Sequence, residues 1–348
     1  IHCGLVGSEM CIRDSFKMRS KLKKLKKNIA VLMGGYSDEF EISIKSGNNI
    51  LKNIDTKLFN PYSVIIEKNN WRVTNEGKEY AINETDFSFK IGKNKIQFHV
   101  VFNIIHGTPG EDGLIQKYFD RINIPYTGPN SNNARITFNK NECIVFAKNL
   151  GISCAKSIFI SNNQDVDFNI FSAMQFPLFV KTNNSGSSFG VTKVKNKEQL
   201  KTNIENLIGL GNGVLVEETL NGVEVSVGLM EYKGEIKVFG ITEIITENDF
   251  FDYEAKYLGK SNEITPAKIP NNISDNVKRC AKLIYENLRL SGFARIDFII
   301  VNDIPFFLEL NSIPGMSNES IFPKQVRLSN LKLKAVSYTH LRAHETAM

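Results

Sequence analysis

Residues 293–316, FARIDFIIVNDIPFFLELNSIPGM, constrain the fold of this chain more than any other stretch. Residues 293–301 are apolar and β-branched, Asn302-Asp303 carries turn chemistry, and 306–310 read as the return strand of a hairpin. Three oxygen-bearing side chains interrupt it: Asp297, Glu309 and Asn311. Glu309 and Asn311 are two residues apart, so they leave the strand on one face. With Asp297 on that face, the hairpin offers two carboxylates and an amide oxygen, a donor set suited to Mg2+. Arg295 shares the face of Asp297 and is placed to meet negative charge. Acids near strand ends are commonly just solvated, but these stand among large apolar residues, where unpaired burial is costly. The Pro314-Gly315 turn that follows can present backbone N–H groups.

The 348 residues are 42% hydrophobic and 23% charged, enough for two or three packed units. No apolar run is long enough to span a membrane. The net charge of +6 is local, because Lys17, Arg19, Lys21, Lys23, Lys24, Lys26 and Lys27 supply it. The rest is near neutral, which argues against a nucleic-acid partner. Five cysteines without a C-x-x-C pair point to a reducing, cytoplasmic compartment. Residues 1–15 lead into no strand and 335–348 follow no periodicity, so both read as non-native segments outside the fold.

Along the chain, 28–33 is a buried strand running into Gly34-Gly35, and 37–53 a helix whose Asp38 and Glu41 form a capping-box pattern. No G-x-G-x-x-G or P-loop follows it. A second strand spans 61–67, a third strong one 97–105, and a short one 124–127. The 97–105 strand ends at a Gly-rich loop beginning with His106, the place where open α/β sheets bind ligands. Helices are expected at 112–122, within 130–150, at 197–209 and at 274–289. Residues 177–194 read as strand, small-residue loop and strand, the outline of a flap over phosphates with Lys181 as a point charge. Residues 249–260, DFFDYEAKYLGK, form a long charged and aromatic loop. The whole is an α/β unit followed by α+β units.

Nine motifs in order carry a resemblance: AVLMGGYSDEFEIS, HGTPGEDG, PYTG, FNK, VKTNNSGSSFGV, VEE, DYEAKY, ARIDF and LELNSIPGMS. From about residue 28 to about 334 the chain resembles the D-alanine–D-alanine ligases of the ATP-grasp superfamily. The resemblance implies a three-domain ATP-grasp architecture with an N-terminal open α/β domain. Its units would be 16–128 (substrate), 129–216 (central, with the flap) and 217–334 (with the metal ligands). It implies ATP, two Mg2+ or Mn2+ ions, two D-alanines and a homodimer.

By the same resemblance, Glu39 binds the amino group of the first D-alanine and His106 lies beside it. Lys140, Lys181 and Lys256 hold ATP phosphates, while Glu217 and Glu224 bind the nucleotide, Glu224 at the ribose. Ser187 and Tyr257 join Glu39 to close the site. Arg295 and the Gly315 N–H stabilise an oxyanion, Asp297, Glu309 and Asn311 bind metal, and Ser320 holds a substrate carboxylate. Thr182 stands where the family commonly has proline, and the closing helix that the family carries after residue 333 is not expected here. The alternatives are a D-alanine–D-lactate or other carboxylate ligase, against which Tyr257 argues, and a catalytically dead nucleotide-binding regulator, against which the intact acids and lysines argue.

Overall fold

The computed structural model describes residues 26–162, 166–186, 190–246 and 261–345. The strand expected at the start is β1 (Lys27–Gly34). It pairs in parallel with β2 (Phe59–Glu67) and β7 (Val100–Asn103). β3 (Asn70–Asn75) and β4 (Lys78–Ala81) extend the sheet antiparallel, in the order β4-β3-β2-β1-β7. β1 is central, so both its faces are buried. Ile29, Val31 and Met33 pack with Ile50 of α1 (Phe40–Asn53), and Ala30 and Leu32 pack with Val64 and Phe119.

The capping box does not form. Glu39 is the N-cap of α1 and makes no side-chain cap bond. Tertiary contacts hold the turn instead: Tyr36 N–H donates to Thr108 O (2.7 Å) and Ser37 Oγ to His106 O (2.9 Å). The run 97–105 is not one strand. Its start belongs to β6 (Asn94–Gln97), which pairs with β5 (Ser88–Ile91) in a two-stranded sheet. The break comes at His99, whose backbone N–H and Nδ1 both bond to the Asn28 backbone, at 2.9 and 3.0 Å. The strand expected at 124–127 is a single bridge from Tyr126 to Val101. Between β7 and that bridge lies α2 (Leu114–Ile122).

The central sheet is antiparallel, with β9 (Ser157–Ile160), β10 (Leu178–Thr182), β11 (Val191–Val194) and β12 (Val214–Glu218) in the order β11-β10-β12-β9. The period of two sorts its residues. Leu178, Val180, Val194, Val214 and Val216 face α5 (Lys197–Ile208) through Leu200 and Ile204. The alternate positions, Phe179, Lys181, Lys193 and Glu217, line a cavity.

Six strands make the last sheet, in the order β15-β14-β13-β16-β17-β8. They are β8 (Ser153–Cys154), β13 (Val223–Tyr232), β14 (Glu235–Thr246), β15 (Ser261–Ile264), β16 (Phe293–Val301) and β17 (Ile304–Asn311). The hairpin β16–β17 turns through Asn302 and Asp303, both at positive φ (48° and 65°), as a tight hairpin turn requires. One face packs on α6 (Asn271–Asn287) through Val225, Val227, Ile296, Phe298 and Val277. α3 (Ser131–Phe138) and α4 (Lys140–Asn149) precede β8, and Cys143, Ile144 and Ala147 of α4 join this same core.

The segment read as lying outside the fold is packed. After α7 (Ile321–Leu328), residues Leu333–Glu345 form α8. Val336, Ser337, His340 and Leu341 are buried, at helical spacing. The His340 ring stacks on Phe293 of β16 with centroids 3.9 Å apart, and Phe102 of β7 meets it edge-on at 5.0 Å. α8 thus joins the first sheet to the last, and the closing helix expected to be missing is present.

Candidate active site

The second face of the six-stranded sheet carries the polar residues. β16 and β17 pair Asp297 with Glu309 and Arg295 with Asn311. Asp297 is buried, and Ser226 of β13 donates to its Oδ1 at 2.6 Å. Arg295 donates to both its oxygens, Nε at 3.1 Å and Nη2 at 2.8 Å, and lies 3.7 Å from Glu309. Asn311 sits 3.4 Å from Asp297. The three expected metal ligands therefore converge, with Arg295 between the carboxylates. An all-oxygen set of two carboxylates and an amide fits a hard divalent cation.

His106 is also where a ligand loop was expected, at the end of the run that contains β7. Both its nitrogens are held by protein. The Ile313 carbonyl can only accept, so Nδ1 carries the proton (2.9 Å). Nε2 then accepts from Ser46 Oγ at 3.1 Å, and Ser46 in turn accepts from Met316 N–H at 3.0 Å. Burial lowers the His106 pKa, partly opposed by the charge of Glu39, so the ring is neutral at pH 7. His106 thereby ties α1 to the 313–316 turn. Gly315 lies in that turn, where a Cβ would come within 2.9 Å of Ser320 Oγ. Those two predicted residues are neighbours.

Glu39 stands close to Gly107 and Gly186, since a Cβ on either would approach its Oε2. The base of the flap thus reaches the start of α1. Ser187, Lys256 and Tyr257 lie outside the described residues.

Lys181 is ion-paired with Glu217, both largely buried. Lys140 donates to the Ser185 carbonyl. Both lysines, with Glu217, Glu224 and Glu309, line a cavity of about 530 Å3 whose apolar wall includes Phe179, Phe307 and Leu308. Lys140 and Glu309 also border a smaller cavity lined by Glu111, Gly186, Asn311 and Ser312. An elongated anion in the large cavity would therefore end beside the expected metal ligands and the Glu39 region.

Sequence reading missed Ser226 and Glu111. A small polar residue amid VEVSVGLM was the signal for the first, and position within HGTPGEDG for the second. Glu111 is buried and accepts from Gly107 N–H at 2.8 Å. Burial, then the nearby charge of Glu39, pushes its carboxyl up to about 8. Its unfolded value is about 4.3, so between these values the folded chain holds a proton that the unfolded chain has lost. This group stabilises the fold below that window, and the contribution disappears as pH rises through about 8. Glu111→Gln should remove this slope, so the variant's stability gains on the parent's between pH 5 and 8, by on the order of a few kcal/mol. Melting curves at several pH values check it, and parallel pH profiles would refute it.

Comparison with known proteins agrees with this geometry. Residues 28–129 match the family model described as D-ala D-ala ligase N-terminus, and 146–339 the one described as D-ala D-ala ligase C-terminus. A D-alanine--D-alanine ligase of Flavobacterium psychrophilum is 49% identical over 88% of this chain and 94% of its own length. One from Flavobacterium johnsoniae is 44% identical over 88% of this chain and 96% of its own. Among solved structures, VanG D-Ala:D-Ser ligase from Enterococcus faecalis superposes with a TM-score of 0.82 at 30% identity, covering 92% of this chain and 99% of that one. D-alanyl-alanine synthetase A from Vibrio cholerae gives 0.82 at 26% identity, covering 92% and 98%. The sheets and helices described above are those of the ATP-grasp architecture. With both family models together spanning nearly all of the described residues, the chain belongs to the D-alanine–D-alanine ligase family.

Proposed function

We propose that this chain joins two D-alanines into D-alanyl-D-alanine at the expense of ATP, a step that supplies peptidoglycan precursors. The observation that carries the reading is that the two cavities are neighbours, with Lys140 and Glu309 in the walls of both. ATP lies in the large cavity with its base against the apolar wall and its phosphates toward Lys140 and Lys181. Asp297, Glu309 and Asn311 would hold Mg2+ or Mn2+, which neutralises phosphate charge when bound.

The first D-alanine lies with its amino group toward Glu39, near His106. Its carboxylate oxygen attacks the γ-phosphorus, ADP leaves, and an acyl phosphate forms. The second D-alanine, its carboxylate at Ser320, attacks the acyl carbon through its neutral amine. The tetrahedral oxyanion accepts from Arg295 and the Gly315 N–H, and inorganic phosphate leaves. Ser187, Lys256 and Tyr257 belong to the closure that excludes water from the acyl phosphate. Glu217 and Glu224 hold the nucleoside.

Family membership supports a homodimer acting in the cytoplasm and the division at 16–128, 129–216 and 217–334. Among the described residues no helix is long and apolar enough to cross a membrane.

The test is phosphate release from ATP with Mg2+ and D-alanine, the product being identified by mass, with L-alanine and D-alanine plus D-lactate as controls. The dipeptide should appear in step with phosphate. Release that ignores D-alanine, or a depsipeptide formed in preference to the dipeptide, would overturn the reading.

A further inference from the structure

The nucleotide cavity contains a cation that the reaction described above does not use. Lys193 of β11 lies opposite Phe179 of β10, which in turn lies opposite Glu217 of β12. All three line the cavity. Of the cavity's other lysines, Lys140 donates to the Ser185 carbonyl and Lys181 pairs with Glu217. Lys193 makes no side-chain hydrogen bond or ion pair among the described residues. It is half-buried rather than extended into solvent. A strongly hydrated ammonium that enters a cavity without a fixed partner is available to a ligand.

Position along the strands says which part of the ligand it meets. Lys181 pairs with Val191 next to the flap, and Lys193 is two residues farther from the flap on the neighbouring strand. Two residues of strand are about 6.6 Å. Lys181 faces phosphates in the ligase reading, so Lys193 stands toward the nucleoside. Phe179, Phe307 and Leu308 give that end of the cavity its apolar wall, against which a planar base can lie. The acceptors a purine nucleoside offers there are ring nitrogens and ribose oxygens, and an ammonium supplies three donors.

We propose that Lys193 is a nucleotide-binding residue that donates to the nucleoside end of ATP. The assignment rests on the nucleotide reading of this cavity and adds a contact outside the phosphate-binding lysines. Its side chain contributes to holding ATP and ADP and takes no part in phosphoryl transfer.

The experiment measures binding of ADP and of adenosine to the whole chain by calorimetry, alongside steady-state kinetics, for the parent, Lys193→Met and Lys193→Arg. Loss of one charge-assisted hydrogen bond at a half-exposed site weakens binding about tenfold. Lys193→Met should weaken ADP and adenosine by the same factor, raise KM for ATP correspondingly and leave kcat nearly unchanged. Lys193→Arg should recover most of the affinity. A thermal melt equal to the parent's establishes that Lys193→Met is folded, and Lys193→Arg serves where it is not. ADP weakened with adenosine unaffected would move the contact to the phosphates and overturn the proposal, and so would affinities within twofold of the parent. A parent chain that binds no ADP would overturn the nucleotide reading itself, whereas a parent that binds ADP as tightly as Lys193→Met does would sink only the role of Lys193.

Discussion

Replacing Asp297 with asparagine should lower kcat for dipeptide formation by about two to three orders of magnitude, while the fold survives. Asp297 is the most buried member of the oxygen set, and its two oxygens are already fixed, Oδ1 by Ser226 and Arg295 and Oδ2 by Arg295. The change keeps volume but removes the charge, and it puts an amide NH2, a donor, where a carboxylate oxygen now accepts. A hard divalent cation loses its innermost carboxylate. Arg295 loses its bidentate partner and retains Glu309 at 3.7 Å. Both effects fall on charge developing during the two chemical steps, so kcat should fall far more than the affinity for D-alanine. The Mn2+ affinity of the variant, read by electron paramagnetic resonance, should drop along with it. Unchanged metal affinity would show that Asp297 serves only to orient Arg295.

The second large effect is on stability. Leu341→Ala should cost about 2–5 kcal/mol, seen as a fall in Tm on the order of 10 °C. Leu341 is 1% exposed and belongs to a core shared by β1, β7, β16 and α7 through Val31, Phe102, Phe293 and Phe322. Its removal leaves a cavity where the first and last sheets meet. Ending the chain at residue 334 should be worse, because it strips His340 from the face of Phe293 and from Phe102, and removes Val336 and Leu341 from the same core. A Leu341→Ala chain that melts with the parent would mean that α8 is dispensable to the fold.

α8 also marks where sequence reading reached its limit. Its buried positions are Val336, Ser337, His340 and Leu341, two of them polar. An apolar stripe is what periodicity detects, and a buried serine and histidine break it. The burial of His340 was decided by aromatic rings more than 40 and 230 residues away in sequence, on strands β16 and β7. The capping box at Asp38 and Glu41 failed for a related reason. Local side-chain bonds compete with tertiary ones, and Ser37 is drawn to the His106 carbonyl.

Elsewhere the local pattern sufficed. Alternation set which faces of β10 and β12 are polar, and the spacing of Glu309 and Asn311 put both on one face whatever the rest of the chain did. Asn302-Asp303 specified the turn and the pairing out to Phe298 opposite Phe307, while a β-bulge beyond that pair is what sets Glu309, rather than Leu308, opposite Asp297. These are properties of a strand's two-residue period and of turn sterics, which act within a few bonds.

The chain by itself therefore determined the hairpin turn, the shared face of Glu309 and Asn311, the strands on either side of residues 183–190 and the polar face of the central sheet. Only the tertiary structure decided that His106 ties α1 to the Gly315 turn, that Glu111 is buried beside Glu39, that Ser226 holds Asp297, and that α8 closes the body. Each of these depends on burial, and burial is fixed by what packs against a residue from distant sequence rather than by its neighbours along the chain.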